Sequence, residues 1–473
     1  MALAGVRPVN AAVPIRTRAS RAFFLGLTAG GVYFSGTLYW IPGVMRTYGG
    51  LNAPVAILVA LALVAYLALY PALFAAIVGR LSARVGPRAL LFAPAIWVAT
   101  EWGRGWVMGG FPWVLLGYSQ ASVLPIAQVA SLCGVFGLSA LVSSVSGALA
   151  FGVLSRGRGR AVAIAAAGLA VAASAVWGAA RLADGGLTRE GTSLRVGLIQ
   201  GNIAQNQKWD EGRAASIFRT YLALSREAAG AGARFLVWPE SATPFFFQED
   251  AAGADAIRRL AVETRATLLF GSDQIEHGTP PKYYNAAFLV DPGGVTRATY
   301  RKIHLVPFGE YVPFKQLLFF ASPLVESVSD FSPGSEAVML PVDGHRASTA
   351  ICYEIVYPEL IRRFVLAGSE LLTTITNDAW YGRTSAPYQH FEQASLRAIE
   401  QGRYLARSAN TGISAIVDPY GRAVVRSSLF EQTALVGEVR LLTVRTLYSR
   451  TGDLLAYVCL MLTMALVVST ETR

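Results

Sequence analysis

The chain has 473 residues and a formal net charge of +11, with 53% hydrophobic and 15% charged residues. It is longer than one ordinary domain and too apolar for a soluble enzyme of this size, so part of it is expected to lie in lipid. The sequence has no zinc-spaced cysteines, no phosphate-binding glycine loop and no internal repeat, so we predict no metal site and no cofactor.

Long apolar segments occur in the N-terminal part of the chain and again near its C-terminus. Most of them approach or exceed the roughly 20 residues that cross a bilayer as a helix. They are residues 23–45, 53–78, 89–106, 123–151, 161–180 and 454–469. The stretch between the last two has an ordinary soluble composition. We therefore predict a membrane domain at 1–192 with about five transmembrane helices, a globular domain at 193–444, and a C-terminal transmembrane helix and tail at 445–473.

Arginines are concentrated in the N-terminal tail, in the second connection between apolar segments and in the fourth. These groups are Arg7, Arg16, Arg18 and Arg21, then Arg80, Arg84 and Arg88, then Arg156, Arg158 and Arg160. Because basic residues are enriched on the cytoplasmic side of a membrane, five crossings place residues 193–444 outside. Arg445 and Arg450, just before the last apolar segment, run against this rule. Anionic lipid headgroups explain the basic groups, so we predict no nucleic-acid partner.

One stretch of the membrane part is both polar and aromatic. It contains Glu101-Trp-Gly-Arg104, followed by Gly-Phe-Pro-Trp113 and Gly-Tyr118. The sequence leaves two interpretations open. Glu101 pairs with Arg104 at the membrane interface, among anchoring aromatic residues, or this outer edge receives a lipid headgroup.

The soluble region alternates short apolar runs with amphipathic segments. Residues 194–200 form an apolar run typical of a buried strand, and the spacing of Ile217, Tyr221 and Leu224 predicts a helix over 211–229. Further strands are predicted at 235–238, 267–271, 284–290, 296–301, 347–351, 371–376 and 412–417, and helices at 254–265, 358–367 and 388–408. This alternation, interrupted by hairpins, predicts an α/β fold of two sheets covered by helices.

A single cysteine ends one of these strands, in the run Ala-Ile-Cys352-Tyr-Glu. The other two, Cys133 and Cys459, lie in membrane-length apolar runs, so we expect no disulfide at Cys352. A thiol becomes a useful nucleophile only as a thiolate, which needs a base and a nearby cation. Glu240 in Trp-Pro-Glu-Ser and Lys302 in Tyr-Arg-Lys-Ile-His are the candidates for these two roles. Taken alone, Cys352 is more typical of a buried core thiol than of a nucleophile.

Glu, Lys and Cys in this chain order, each at the end of a predicted strand, resemble the catalytic signature of the nitrilase-like superfamily. Together with the aromatic stretch at 101–118, they resemble the apolipoprotein N-acyltransferases, the membrane-bound branch of that superfamily, over nearly the whole chain. The resemblance implies a nitrilase-like αββα sandwich inserted in a polytopic α-helical membrane domain. That family commonly has eight spans, whereas six are predicted here.

The resemblance also implies a role for each site residue. Glu240 would be the general base, and Lys302 would stabilise the oxyanion of the tetrahedral intermediate formed by Cys352. Such a base is expected to be a partly shielded carboxylate with a raised pKa. Supporting roles are implied for Glu310, Tyr353 and Glu354, and Trp209 matches a position at the acyl site.

The implied reaction joins two lipid substrates. A thiolate beside a bilayer takes a fatty acyl group from a phospholipid as a thioester, and the acceptor is the α-amine of a diacylglyceryl-cysteine apolipoprotein. This implies a bacterial inner membrane protein with its catalytic domain on the periplasmic side. The apolar segment 317–325, with Phe319 and Phe320, is expected to cover the acyl chain, whereas the phenylalanines at 245–247 fit a core equally well.

Two other hypotheses remain open from the sequence. A membrane-tethered amidase or nitrilase would use the same three residues with water as acceptor, and a silent scaffold or transporter would form no acyl-enzyme at Cys352. None of the four histidines fits a serine or cysteine triad, and His304 is expected to play a supporting polar role. Arg397, Arg403 and Arg407 are expected on a solvated helix face.

Overall fold

A computed structural model describes residues 15–208, 210–311 and 330–469 of the chain. The chain divides into two compact units. The first comprises the residues up to Pro42, Ala53–Asp184 and the residues from Thr446 onward, and the second comprises Gly43–Asn52 and Gly185–Arg445. Each unit is built from a different kind of secondary structure.

The first unit is helical throughout its regular described parts. Its N-terminal helices are α1 (Ile15–Thr37), α2 (Ile41–Thr47, which continues into the second unit), α3 (Ala53–Val85), α4 (Ala93–Arg104), α5 (Leu124–Ala127), α6 (Ala130–Leu154) and α7 (Arg158–Asp184). The helices Leu447–Thr451 and Leu454–Ser469 complete it. Helix α1 packs along α3 at close range, because a Cβ atom at Gly26 would lie 2.5 Å from the carbonyl oxygen of Pro71.

Several of these helices are long and apolar enough to cross a membrane. Among the described residues they are the stretches Ala53–Arg104, Ala130–Leu154 and Arg158–Thr188, and Leu454–Ser469 is a shorter apolar helix. On α7 the side chains of Val162, Leu169 and Val176 are 66%, 70% and 71% exposed. A row of exposed aliphatic side chains of this kind is typical of a surface that faces lipid. The larger number of spans expected from the sequence stays a prediction.

The second unit contains two six-stranded sheets. The first has the order β12-β1-β2-β3-β4-β5 and the second the order β11-β10-β9-β8-β7-β6. The strands of the first are β1 (Thr192–Gln200), β2 (Phe235–Val237), β3 (Thr267–Glu276), β4 (Lys282–Val290), β5 (Thr296–Arg301) and β12 (Thr433–Leu441). Those of the second are β6 (Leu340–Val342), β7 (His345–Ile351), β8 (Leu371–Thr376), β9 (Leu405–Ala409), β10 (Ala415–Val417) and β11 (Ala423–Arg426). Strands β1, β2 and β3 are parallel, as are β7, β8 and β9.

The two sheets face each other, and helices cover their outer faces. Ser408 on β9 donates a hydrogen bond of 3.1 Å from its hydroxyl to the carbonyl oxygen of Ile199 on β1. Helices α8 (Glu211–Gly230) and α9 (Ala251–Thr264) pack on the first sheet, and α10 (Pro358–Leu366) and α11 (Ala386–Gln401) lie with the second. The order helix, sheet, sheet, helix confirms the expected αββα sandwich.

The core under α8 and α9 is aromatic. The ring of Trp238 stacks on Tyr221 at 5.1 Å, and its indole N–H donates to the hydroxyl of Ser225 at 2.8 Å. Phe247 is 3% exposed and packs against Phe270 and Phe288. Of the phenylalanines at 245–247, which the sequence assigned either to lipid contact or to the core, Phe247 therefore belongs to the core.

The structure corrects the sequence prediction at the C-terminal end of the second unit. The helix predicted over 388–408 ends at Gln401, because Gly402 adopts a φ of +61° and a new strand, β9, begins at Leu405. A left-handed glycine is a common helix stop. Strands β6, β11 and β12 were not predicted, although β12 pairs with the whole of β1.

Candidate active site

Cys352 lies at a sharp turn directly after β7. Its backbone φ is +53°, and a short 3-10 helix over Cys352–Val356 begins there. Residues other than glycine rarely adopt this conformation, and it costs roughly 1–3 kcal/mol where it occurs. The strand and turn thus present the side chain as the sequence pattern indicated. Cys352 is buried, with 6% of its surface exposed.

Glu240 and Lys302 meet in a buried cluster with Glu310. The ammonium Nζ of Lys302 donates to Glu310 Oε1 at 2.9 Å and to Glu240 Oε1 at 3.3 Å. Glu240 follows β2 and Lys302 follows β5, and because these strands run in the same direction, both residues lie at the same edge of the first sheet. Only 1% of the Lys302 surface is exposed. Burial of this kind strengthens the interactions between the charges of the cluster.

Asn285 on β4 connects the two carboxylates and was not predicted from the sequence. Its amide Nδ2 donates to Glu240 Oε1 at 2.7 Å and to Glu310 Oε1 at 2.8 Å. The second oxygen of Glu240 accepts from the backbone N–H of Asn377 at 2.9 Å. Both oxygens of the expected base are therefore held in fixed positions. Within a strand, an asparagine gives no sequence signal that distinguishes it from an ordinary polar residue.

The pKa of Glu240 is shifted in the direction opposite to the one expected. Burial alone would raise the pKa of its carboxyl group, but the Lys302 ammonium and the Asn285 hydrogen bond outweigh burial and hold it below its ordinary value. Burial would lower the pKa of Lys302, and the adjacent Glu310 and Glu240 raise it instead. The resting cluster therefore contains a carboxylate and an ammonium ion.

The Cys352 thiol is protonated at rest. Burial and the charge of Glu240 raise its pKa well above the ordinary value, while Lys302 acts in the opposite direction. The thiol thus lies within the electrostatic influence of both partners. A protonated thiol beside an ionised carboxylate requires proton transfer before nucleophilic attack.

Glu354 connects the segment after β5 to the turn at Cys352. Its Oε1 accepts hydrogen bonds from the hydroxyl of Tyr300 at 2.8 Å and from the backbone N–H groups of Ile303 at 2.6 Å and His304 at 3.1 Å. Its Oε2 accepts from the N–H of Ile351 at 2.7 Å. Burial raises the pKa of Glu354 to about 7, and these hydrogen bonds oppose the rise. Glu354 therefore positions the backbone on either side of the site.

The other residues that the sequence predicted for the site differ in where they lie. Glu310 also accepts from the N–H of Val306 at 2.8 Å, which fixes the carboxylate beside Lys302. Tyr353 is buried and packs edge-to-face against Tyr357 at 5.4 Å. The ring of His304 stacks on Tyr357 at 4.2 Å, so it packs rather than acts as a base. Trp209, Phe319 and Phe320 lie outside the described residues.

The expected solvated arginine face does not exist. Arg397 and Arg407 are fully buried and Arg403 is 2% exposed. Arg407 belongs to β9, and its guanidinium donates to Asp378 at 2.8 Å. The predicted helix extended through Gly402, which placed Arg403 and Arg407 on a helix that they do not belong to, whereas Arg397 lies on the helix but on its buried face.

Lys208 is a second buried ammonium at this site that sequence reasoning missed. It is 5% exposed, and its Nζ donates to the backbone carbonyl of Glu240 at 2.9 Å. Burial lowers its pKa to about 8, opposed by the charges of Glu240, Asp273 and Cys352. Asp273, which accepts a hydrogen bond from Ser241 at 3.0 Å, has a pKa raised by burial to about 6. Glu240 is thus held by ammonium groups at both its side chain and its backbone.

Replacing Lys208 by methionine should slow the acylation of Cys352, which the family resemblance implies, about tenfold or more, the scale of one lost hydrogen bond from a buried charged group. Lys208 lowers the pKa of Glu240, so its loss should also move the acidic limb of the rate profile to higher pH. Single-turnover rates between pH 5 and 9 measure both effects. The matched control is Lys282→Met, because Lys282 is 58% exposed. An unchanged rate and an unchanged pH profile would show that Lys208 does not influence the reaction through Glu240.

Glu101 and Arg104 in the first unit are both buried and hold a loop. Glu101 Oε1 accepts from the N–H of Leu116 at 2.6 Å, and Arg104 donates to the carbonyl oxygens of Trp113 at 3.0 Å and Val114 at 3.4 Å. They line a cavity of about 30 Å³. This volume holds one or two water molecules. The two sequence interpretations, an interfacial pair and a headgroup site, stay predictions.

Comparison with known proteins identifies related sequences over most of the chain. Residues 195–448 match the carbon-nitrogen hydrolase family, and residues 1–148 match the apolipoprotein N-acyltransferase N-terminal domain. The chain is 42% identical to an apolipoprotein N-acyltransferase of Geobacter metallireducens, covering 93% of this chain and 85% of the relative. It is 35% identical to that of Shewanella oneidensis, over 91% and 84%. A solved amidase from Nesterenkonia sp. aligns at 21% identity and a TM-score of 0.43, covering 58% of this chain and 99% of the amidase.

Proposed function

Because this chain belongs to the apolipoprotein N-acyltransferase family, we propose that Cys352 carries the acyl group that the enzyme transfers to a lipoprotein. N-acylation of lipoproteins is the activity of the chain. Glu240, Lys302 and Cys352 form the catalytic triad of this proposal. The observation that supports it best is the buried cluster in which the Lys302 ammonium bridges Glu240 and Glu310.

The first half-reaction forms a thioester. Glu240 takes the proton of the Cys352 thiol, and the sulfur attacks the ester carbonyl of a membrane phospholipid. Lys302 stabilises the oxyanion of the tetrahedral intermediate, a contribution typically worth about 10²–10³ in rate. The carbon–oxygen bond then breaks, Glu240 returns the proton to the leaving oxygen, and a lysophospholipid departs.

The second half-reaction forms an amide. The α-amine of a diacylglyceryl-cysteine apolipoprotein attacks the thioester carbonyl, and Glu240 accepts a proton from the attacking nitrogen. The carbon–sulfur bond breaks as the proton passes to the sulfur, which restores the thiol. General base catalysis of this kind typically contributes about 10²–10⁴ in rate. The same carboxylate thus serves both steps.

The electrostatics of the cluster suit this sequence. The lowered pKa of Glu240 keeps it ionised and able to accept a proton at neutral pH. Lys302 stays cationic and opposes the rise in the thiol pKa. The raised pKa of Cys352 keeps it a thiol until substrate arrives, which protects it from unproductive reactions.

We place the second unit on the outer side of a bacterial inner membrane. The arginine-rich segments are expected on the cytoplasmic side. The exposed aliphatic surface of α7 supports a membrane location for residues 1–192, and the apolar helix Leu454–Ser469 supports one for 445–473. Residues 193–444 then form the extracytoplasmic catalytic domain, with phospholipid as donor and apolipoprotein as acceptor.

A reconstituted transfer assay tests the function. The full chain in proteoliposomes receives a phospholipid with an isotope-labelled acyl group and a diacylglyceryl-cysteine peptide. We expect labelled N-acyl peptide together with lysophospholipid. Labelled free fatty acid without N-acyl peptide would instead indicate water as the acceptor, as a membrane-tethered hydrolase requires.

A further inference from the structure

A buried histidine lies directly behind the nucleophile. The ring of His390, on α11, has its Nε2 3.2 Å from the backbone carbonyl oxygen of Cys352. Its Nδ1 lies 2.9 Å from Asp378 Oδ1. His390 and Asp378 are both fully buried. The reaction proposed above uses neither side chain.

The position of one ring proton follows from these neighbours. The carbonyl oxygen of Cys352 can only accept a hydrogen bond, so we assign a proton to Nε2 of His390 as the donor across this contact. In the neutral ring, Nδ1 then serves as an acceptor for the Arg407 guanidinium, whose Nη2 lies 3.1 Å away. In the charged ring, Nδ1 donates to Asp378. The hydrogen bond to Cys352 is the same in both states.

The groups behind His390 are fixed in turn. Asp378 accepts from Arg407 at 2.8 Å and from the hydroxyl of Thr376 at 2.9 Å. Burial would raise the pKa of Asp378, but Arg407 and His390 hold it at about 2, so it is ionised. Gly412 leaves the necessary room, because a Cβ atom there would lie 2.4 Å from Asp378 Oδ2. The ring orientation is therefore set by strands β8 and β9.

We infer that His390 is a positioning residue, whose Nε2 proton anchors the Cys352 carbonyl and keeps the nucleophile turn in its left-handed conformation. The backbone at Cys352 has a φ of +53°, which persists only where neighbouring groups enforce it. A carbonyl released from His390 would let the turn relax and move the sulfur. A displacement of about 1 Å at a reacting atom can cost about 10²-fold in rate. This inference rests on the proposed role of Cys352.

Two substitutions separate anchoring from general support of the fold. The amide nitrogen of glutamine occupies the place of Nε2, so His390→Gln keeps the donor to Cys352 and loses the contact with Asp378. Asparagine reaches only as far as Nδ1, so His390→Asn keeps the contact with Asp378 and loses the donor. Both variants are made in the full chain and reconstituted with phosphatidylethanolamine vesicles.

Four quantities are measured: kcat and KM for acylation of Cys352, the rate of alkylation of Cys352 by iodoacetamide, and the thermal midpoint. We expect His390→Gln to retain kcat within about threefold, and His390→Asn to lose about 10- to 100-fold in kcat with KM unchanged. The alkylation rates should follow the same order. The thermal midpoints of the two variants should not differ in that order, because the inference concerns the turn at Cys352 and not the stability of the fold.

His390→Gln decides the inference by itself, even if His390→Asn fails to fold. A folded glutamine variant with strongly reduced kcat, or equal kcat in both variants, would contradict it. So would failure of both variants to fold, because the ring would then support the domain rather than the turn. Alkylation reports the turn even if Cys352 carries no acyl group, so failure of this inference is distinguishable from failure of the proposed function.

Discussion

Replacing Cys352 by alanine should abolish acyl transfer, because no other group in the cluster can form the thioester. Replacing it by serine should abolish it almost completely. A serine hydroxyl has a far higher pKa than a thiol. Glu240, with its pKa held below the ordinary value by Lys302, is too weak a base to activate that hydroxyl. Transfer to a diacylglyceryl-cysteine peptide in proteoliposomes measures both variants.

The matched controls for this prediction are the other two cysteines. Cys133 and Cys459 lie on helices of the first unit and are free thiols. Cys133→Ala and Cys459→Ala should therefore transfer at the rate of the unsubstituted chain. Wild-type-like turnover by Cys352→Ala would refute the whole assignment of the site.

Neutralising either partner of the nucleophile should lower the rate of acylation roughly 10²-fold or more, the scale of one base or one oxyanion contribution. Glu240→Gln keeps the shape of the side chain and its place beside the Asn377 N–H but cannot accept a proton. Lys302→Met removes the oxyanion cation and leaves two carboxylates, Glu240 and Glu310, without their shared ammonium. Phospholipid binding should survive both changes.

The two variants differ in their pH dependence. Lys302 lowers the pKa of both Glu240 and Cys352, so Lys302→Met should raise both and shift the residual activity to higher pH. In Glu240→Gln, by contrast, the residual rate should no longer fall at acidic pH, because that fall comes from protonation of Glu240. The exposed pair Lys282 and Glu276, 3.9 Å apart, supplies the controls Lys282→Met and Glu276→Gln. Near-normal acylation in either active-site variant would show that the role assigned to that residue is wrong.

The nucleophile turn was predictable because its signal is local. A β-branched and apolar run ending in Cys352 indicates a strand that delivers a side chain to a turn, and Glu240 follows a strand in the same way. What the cluster does to these residues was not predictable. The pKa of Glu240 depends on Lys302 and Asn285, which lie 62 and 45 residues away along the chain. Only the folded sheet brings them within hydrogen-bonding distance.

The errors in the fold have the same origin. The helix predicted over 388–408 ran through Gly402, so the sequence prediction did not separate α11 from β9. That one error hid the burial of Arg407 and, with it, the network around His390. Strand β12 is stabilised by pairing with β1, from Thr192 with Leu441 to Gln200 with Thr433. A partner this distant in the chain leaves no periodic signal in the strand itself.

The central claim is that Cys352 carries the acyl group, and the mass of the protein tests it most directly. The full chain is incubated with phospholipid in the absence of lipoprotein acceptor, and its intact mass and Cys352 peptide are measured. We predict one acyl group in place of the thiol hydrogen at Cys352, lost on addition of a diacylglyceryl-cysteine peptide. An unmodified Cys352, or an acyl group on another residue that is passed to the peptide, would contradict the account.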